Sequence, residues 1–357
     1  MKILYGVQAT GNGHITRARA MNKAFKDKQL DVDFLFSGRA RPNMFDMEEF
    51  GGFKCYQGLT FVTHSGSVMP YASFKKSNLR QLYRDISDLD LSEYDLIITD
   101  FEPICAWAGR AQHKKTIAIG HQYAFEHDIP KADDSLMARL FMQYFAPAEI
   151  KLGLHWHHFN QLILPPIAQT HTEALKTIDN KIVVYLGFES PEDIMRLIAP
   201  FKHYNFYVYG DFSKSIIDST RELRHINLCP LSREGFKKDL ASSNGVISNA
   251  GFELSSEAIH LGKKILVKPL TGQMEQRSNA KALEQLGLGL SMQSLDQTIL
   301  AHWLSNFEGK RIIYPDVAAA IVDWIISGHT GCPEKSAQAL SASLWNKVES
   351  TTIKNFV

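Results

Sequence analysis

Three short stretches of this chain hold residue types whose spacing could do chemistry. The first is Gly11-Asn12-Gly13-His14-Ile15-Thr16-Arg17, directly after an apolar run. Glycines there permit a tight turn and let a substrate approach the backbone closely. A helix beginning near His14 would point its free N-terminal amides out of that turn. Imidazole titrates near neutral pH, so a histidine so placed could take a proton from a hydroxyl. A plain strand-to-helix turn with a solvated histidine accounts for the same residues. The turn is not the dinucleotide fingerprint, because Thr16 stands where the third glycine of GxGxxG belongs. The second stretch is Asp100, which closes the apolar run YDLIITD ahead of Phe101-Glu102-Pro103. Ligands of open parallel sheets bind beyond the carboxyl ends of the strands, so Asp100 shares a rim with His14 and could orient the imidazole. It would serve equally as a helix N-cap before Pro103.

The third stretch, Ser248 to Ala280, is the most polar. A strand-like GVIS runs into Asn249-Ala250-Gly251, then a helical segment with Phe252, Glu253 and Glu257. A second strand and a polar turn follow, then a helix with Gln276 and Asn279. Amides at a helix N-terminus behind a glycine can hold a diphosphate without a metal. A glutamate one turn into that helix could accept both ribose hydroxyls. An ordinary βαβ unit would not require this polar content.

The elements that must position these residues repeat one plan. KILYGVQA, the glycine turn and a helical run from about Ile15 to Lys28 make a strand–turn–helix unit. DVDFLFSG, YDLIITD and KTIAIGH supply further strands, with PICAWAGRAQH as a helix between the last two. Uninterrupted apolar strands alternating with helices indicate parallel pairing covered on both faces. The alternation breaks at Pro165-Pro166, after the strand-like KLGLHWHHF. A second series opens with KIVVYLGFES, where Gly187 makes the turn, Ser190 is placed as N-cap, Pro191 takes the first helical position and Asp193 completes a capping box. The expected fold is therefore α/β, with two doubly wound, Rossmann-like parallel-sheet domains facing across a cleft: residues 1–164, a linker at 165–178, and residues 179–357, whose last helices are free to pack back on the first domain.

Together the three stretches resemble the GT-B glycosyltransferases. The likeness is greatest to the N-acetylglucosaminyltransferases that form lipid II, looser to plant and antibiotic glycosyltransferases, and extends to a group of bacterial and archaeal glycosyltransferases. The resemblance implies that Asn249, Gly251, Phe252 and Glu253 hold the donor diphosphate, Glu257 the ribose, and Gln276 with Asn279 the sugar. It also implies donor contacts from Gly11, Gly13, Arg17, Gly187 and Ser190, and a catalytic pair of His14 with Asp100, as in the plant members. Two departures bear on the sugar: Glu275 stands where the lipid II enzymes have a second glutamine, and Phe188-Glu189-Ser190 replaces their glycine- and serine-rich turn. The implied activity is an inverting, metal-independent hexosyl transfer from a nucleotide diphosphate, UDP by resemblance, to a hydroxyl of a glycan or lipid-linked acceptor, with no cofactor. A nucleotide-sugar hydrolase of the pseudaminic acid pathway type shares the GxGHxxR turn, and a non-catalytic nucleotide-sugar sensor would keep Glu257.

Bulk properties exclude other classes. At 357 residues, with 45% apolar and 22% charged residues, the chain is a globular protein of about two domains. Its net charge of +1 gives no support to a nucleic-acid partner. Cys55, Cys105, Cys229 and Cys332 lie far apart and read as reduced thiols of a cytoplasmic protein. No signal peptide is expected from the opening pattern, and no apolar run reaches the roughly 18 residues that span a bilayer. Membrane contact would be peripheral at most, at the inner face, through the aromatic run 141–150 or the stripe of Lys75, Lys76, Arg80 and Arg84; helix packing and a solvated face explain these as well. Asp31-Val32-Asp33 and Asp88-Leu89-Asp90 spell DxD by chance, and His155, His157 and His158 read as packing in a histidine-rich strand without further metal ligands.

Overall fold

The computed structural model describes residues 1–44, 46–59, 63–64, 67–68, 78–132, 135–168, 176–328 and 333–350. A first sheet gathers seven strands: β1 (Lys2–Gln8), β2 (Asp31–Ser37), β3 (Lys54–Tyr56), β4 (Leu96–Asp100), β5 (Thr116–Gly120), β6 (Ile150–Leu154) and β7 (Ile163–Leu164). All pair in parallel, in the order β3-β2-β1-β4-β5-β6-β7. A second sheet holds β8 (Ile178–Tyr185), β9 (Asn205–Tyr209), β10 (Ile226–Cys229), β11 (Ser243–Asn249), β12 (Lys264–Lys268) and β13 (Leu290–Ser291), in the parallel order β10-β9-β8-β11-β12-β13. Each sheet reverses direction beside its first strand, so each has a crevice at the carboxyl ends of its central pair. The fold is GT-B: α/β, with two parallel sheets and helices on their faces.

Both sheets are covered on both sides, which is why their strands carry unbroken apolar runs. In β1, Ile3, Leu4, Tyr5 and Val7 are all fully buried. The helices are α1 (Asn12–Asp27), α2 (Leu79–Asp88), α3 (Pro103–Ala111), α4 (Leu136–Tyr144), α5 (Pro191–Ile198), α6 (Lys214–Thr220), α7 (Arg233–Ser242), α8 (Phe252–His260), α9 (Met274–Gln285), α10 (Gln297–Asn306), α11 (Val317–Ile326) and α12 (Pro333–Trp345). The last two return to the first sheet: Lys28, the C-cap of α1, pairs with Asp323, and Ser341 and the Trp345 indole donate to the Ile163 carbonyl.

Several expectations meet the structure differently. α1 begins at Asn12, before Ile15, because the backbone turns helical directly after extended Gly11. The strand expected through the histidines stops at Leu154. His155, His157 and His158 follow in a turn in which Phe159 and Asn160 take positive φ, and each imidazole Nδ1 accepts a nearby backbone N–H. Ile178, the last residue of the expected linker, already belongs to β8, pairing with Ser243 ahead of a register shift. Residues 169–175 of that linker, Lys75, Lys76 and Cys332 lie outside the described residues. The aromatic run splits, with Phe145 and Ala146 buried while Phe141 and Tyr144 stay exposed. Asp33 accepts the Tyr94 hydroxyl and Asp90 caps the Ser92 amide, so neither DxD is assembled. Among the described residues, Cys55, Cys105 and Cys229 are free, no group of three or more His, Cys, Asp or Glu is arranged for a metal ion, and no helix is long and apolar enough to cross a membrane.

Candidate active site

Between the carboxyl ends of the two sheets lies a cavity of about 610 Å³. One wall is the β1–α1 turn with Gly11, Gly13, His14 and Arg17; the other is the β11–α8 turn with Asn249, Gly251, Phe252, Glu253 and Glu257. Gly187 and Gln276 line it too. Neither α1 nor α8 has a side chain capping its first turn, and the residue ahead of each is an extended glycine, Gly11 or Gly251. A Cβ on either glycine would meet nothing within 4 Å, so the space they leave belongs to the cavity. Gly13 serves the packing of the two helices instead. A Cβ there would stand 3.1 Å from Glu253 Cγ, a contact tight enough that the Glu253 side chain would have to give way.

His14 and Asp100 meet across the crevice of the first sheet. His14 Nδ1 lies 2.7 Å from Asp100 Oδ1. Asp100 is fully buried at the end of β4, and Arg17, one turn beyond His14, grips it through Nε at 2.7 Å and through Nη2. Burial alone would raise the Asp100 carboxyl, but the Arg17 guanidinium and then His14 outweigh it and hold it below the ordinary aspartate range. An ionised carboxylate only accepts, so in the neutral imidazole the 2.7 Å contact with Asp100 favours the proton on Nδ1 and leaves Nε2 its lone pair, although Arg17 Nη2, a donor only, also lies 3.0 Å from Nδ1. The N-cap of α3, the alternative duty for Asp100, falls to Glu102, whose buried carboxylate accepts from the Ile104 and Cys105 amides and from Ser37 Oγ. Phe101 between them takes φ 51°, an uncommon conformation for a bulky residue, held by ring packing on Tyr123 and Phe145.

Arg17 is 1% exposed, and it extends the network across the cleft by pairing through Nη1 with Glu253 of α8. Burial beside Asp100 pushes the Glu253 carboxyl up to about 8, against the pull of Arg17; Glu257 and Glu275 add to the rise. Burial also raises the Glu257 carboxyl, partly offset by Lys237 and Arg233 from α7.

Two expected site residues face elsewhere. Asn279 is fully buried: its amide donates to the Ala250 carbonyl and its Oδ1 meets His121 Nε2 at 2.6 Å. It braces the turn behind Gly251 and does not line the cavity. Ser190 is the N-cap of α5, bonded to Asp193, and also lies outside the lining. Gln276 remains on the cavity while its Oε1 accepts the Leu270 amide.

Some lining residues escaped the sequence reading. His121 and Gln122 follow β5, and the His121 ring stacks on Phe252, centroids 3.9 Å apart and nearly coplanar. Burial, partly opposed by Glu275, holds the His121 imidazole below its ordinary range. A polar pair at the carboxyl end of a buried parallel strand was the signal that could have found them. Arg39, Tyr185, Tyr209 and Phe236 also line the cavity, and the three rings form an aromatic end with Phe236 between the tyrosines. Nothing local marks these four.

Solved structures share the whole architecture at low identity. MurG of Acinetobacter baumannii aligns over 99% of this chain and 97% of its own, with 12% identity and a TM-score of 0.53. The glycosyltransferase SnogD from Streptomyces nogalater aligns over 96% and 99%, with 14% identity and a TM-score of 0.54. Arabidopsis thaliana UGT89C1, solved in complex with UDP, aligns over 99% and 97%, with 12% identity and a TM-score of 0.56. No curated protein matches the chain in sequence. The family model for glycosyl transferase family 1 matches residues 1–308, and the two-sheet architecture with its shared cavity agrees: the chain belongs to glycosyl transferase family 1.

Proposed function

We propose that this glycosyltransferase is inverting and metal-independent, moving a sugar from a UDP-sugar to an acceptor hydroxyl. The observation that carries the reading is His14, backed by buried Asp100, on one wall of a cavity whose other wall is the uncapped start of α8. The acceptor oxygen attacks the anomeric carbon while His14 Nε2 takes its proton. The bond from that carbon to the diphosphate oxygen breaks, and the nucleotide leaves with the electron pair. A single displacement inverts the anomeric centre. The leaving charge grows beside the amides at the start of α8, whose dipole stabilises it. Glu257, one turn further, is placed for the ribose hydroxyls, and Gln276 with Glu275 for the sugar. In this assignment residues 1–164 hold the acceptor, residues 179–357 grip the donor, and 165–178 join them. UDP is favoured because a structural neighbour was solved with UDP bound. The likeness to lipid II-forming enzymes makes a glycan or lipid-linked sugar the first acceptor to try.

Incubation with a panel of nucleotide sugars, alone and with cell extract, tests the reading. Nucleotide release that requires the acceptor supports transfer; equal release without one means a hydrolase, and binding without release means a sensor. Activity is expected to survive exhaustive EDTA treatment. Complete loss restored by manganese or magnesium would overturn the leaving-group argument, and a product retaining the donor's anomeric configuration would overturn inversion.

A further inference from the structure

We infer that Gln122 masks the catalytic base: its amide stands where the acceptor hydroxyl must bind on His14, and the acceptor takes its place. The inference rests on the assignment of His14 Nε2 as the proton acceptor.

Gln122 is 4% exposed and lines the cavity just beyond β5. Its Nε2 lies 3.1 Å from Glu275 Oε2 at the start of α9 and 3.4 Å from His14 Nε2. The carboxylate of Glu275 fixes the amide's orientation, because only the NH₂ end can donate to it. The second proton of that NH₂ group then faces His14. In the tautomer that the Asp100 carboxylate favours, with the proton on Nδ1, Nε2 is an acceptor and the contact is a donor meeting a lone pair. The hydroxyl of an acceptor would make the same contact, with an O–H in place of an N–H.

Two further observations agree. Gln122 Oε1 is buried and has no partner among the described residues, an arrangement that costs free energy. Once the side chain swings aside to yield the base, that oxygen is freed to accept from the hydroxyl that replaces it. Gln122 also joins the two halves of the molecule, since Glu275 opens α9 beside the second sheet. With the base covered until an acceptor arrives, water is denied the proton acceptor it needs to hydrolyse the donor.

The test needs no donor. Diethyl pyrocarbonate acylates the free lone pair of a neutral imidazole, and the rate at His14 can be followed by peptide mass spectrometry on the full-length protein. Gln122→Met keeps the length of the side chain and removes the amide. Labelling of His14 is expected to quicken about fivefold, the factor that one net hydrogen bond represents, with exposed His203 as the unchanged reference. Should Gln122→Met fail to fold, Glu275→Ala removes the anchor of the amide and is expected to act in the same direction. A His14 rate equal to wild type in a folded variant overturns the masking. Because labelling involves no turnover, this outcome is separate from the assignment of His14 as base, which His14→Ala tests through the transfer rate.

Discussion

His14 and Asp100 are bonded as one unit, and their variants should behave as one. His14→Ala is expected to lower kcat by about 10²–10⁴, the usual share of general-base catalysis, while UDP affinity barely moves. Asp100→Asn should cost up to about as much, because the amide no longer fixes the imidazole proton on Nδ1 and leaves the buried Arg17 guanidinium without its carboxylate. The double variant should be little worse than His14→Ala alone. Transfer rates at saturating donor decide this: losses that multiply would give Asp100 a separate role. Glu253 makes the second prediction at this scale. Its carboxyl is pushed up to about 8, chiefly by burial. Below that pH it is mostly neutral, and above it an anion stands beside the bound diphosphate. A terminal phosphate titrates near 6, so the ligand's charge is constant over the window. UDP affinity should therefore fall as pH rises from about 7 to 9, and Glu253→Gln should flatten the dependence. Calorimetry showing equal slopes for the two proteins would remove Glu253 from the diphosphate site.

At the scale of the element, α3 shows how a helix cap decides which carboxylate is free for chemistry. Glu102 spends its oxygens on two amides at the start of α3 and on Ser37 Oγ, and burial raises its carboxyl despite those bonds. Glu102→Ala leaves these donors unsatisfied and should destabilise the protein by about 1–3 kcal/mol. Transfer per folded molecule should stay near wild type. A melting temperature unchanged by the substitution would contradict the cap, and a loss of turnover like that of His14→Ala would make Glu102 the base. β1 shows the same economy of space. A Cβ on Gly6 would fall 2.0 Å from Cys105 Sγ, so the strand that leads to His14 packs on α3 only through glycine.

At the scale of the molecule, the last helix closes onto the first sheet. The Trp345 indole donates to the Ile163 carbonyl at 2.7 Å, beside the Ser341 hydroxyl at 2.8 Å. Trp345→Ala removes that bond and half-buried apolar area, and should cost about 2 kcal/mol of stability. Denaturant unfolding measures it; a midpoint equal to wild type would mean that α12 packs there without holding anything. The cleft is also tied by direct contacts from the first sheet's side to the second: Arg17 to Glu253, His121 to Asn279, and Trp156 Nε1 to Ser256 Oγ.

Local pattern alone determined the α/β class, the two strand–turn–helix openings and, in the glycine turn at 11–17 and the segment 248–280, two stretches that supply much of the cavity lining. Unbroken apolar strands demand two covered faces, and a glycine turn before a helix leaves free amides wherever it occurs. The N-cap at Ser190 was equally legible, because a cap is made within four residues; the Asp193 carboxylate accepts from the Ser190 hydroxyl and so does not close the box. What lay beyond reach depended on partners far apart in the chain. Asp100 became available to His14 only because Glu102, two residues on, took the cap. Asn279 turned away from the cavity because His121, 158 positions earlier, offered its ring nitrogen. Arg17, expected among the donor contacts, lines the cavity while its guanidinium is held by Asp100 and Glu253, partners 83 and 236 positions away. A side chain spends its hydrogen bonds on whatever the tertiary fold brings within about 3 Å, and no spacing in the sequence records which neighbour that will be.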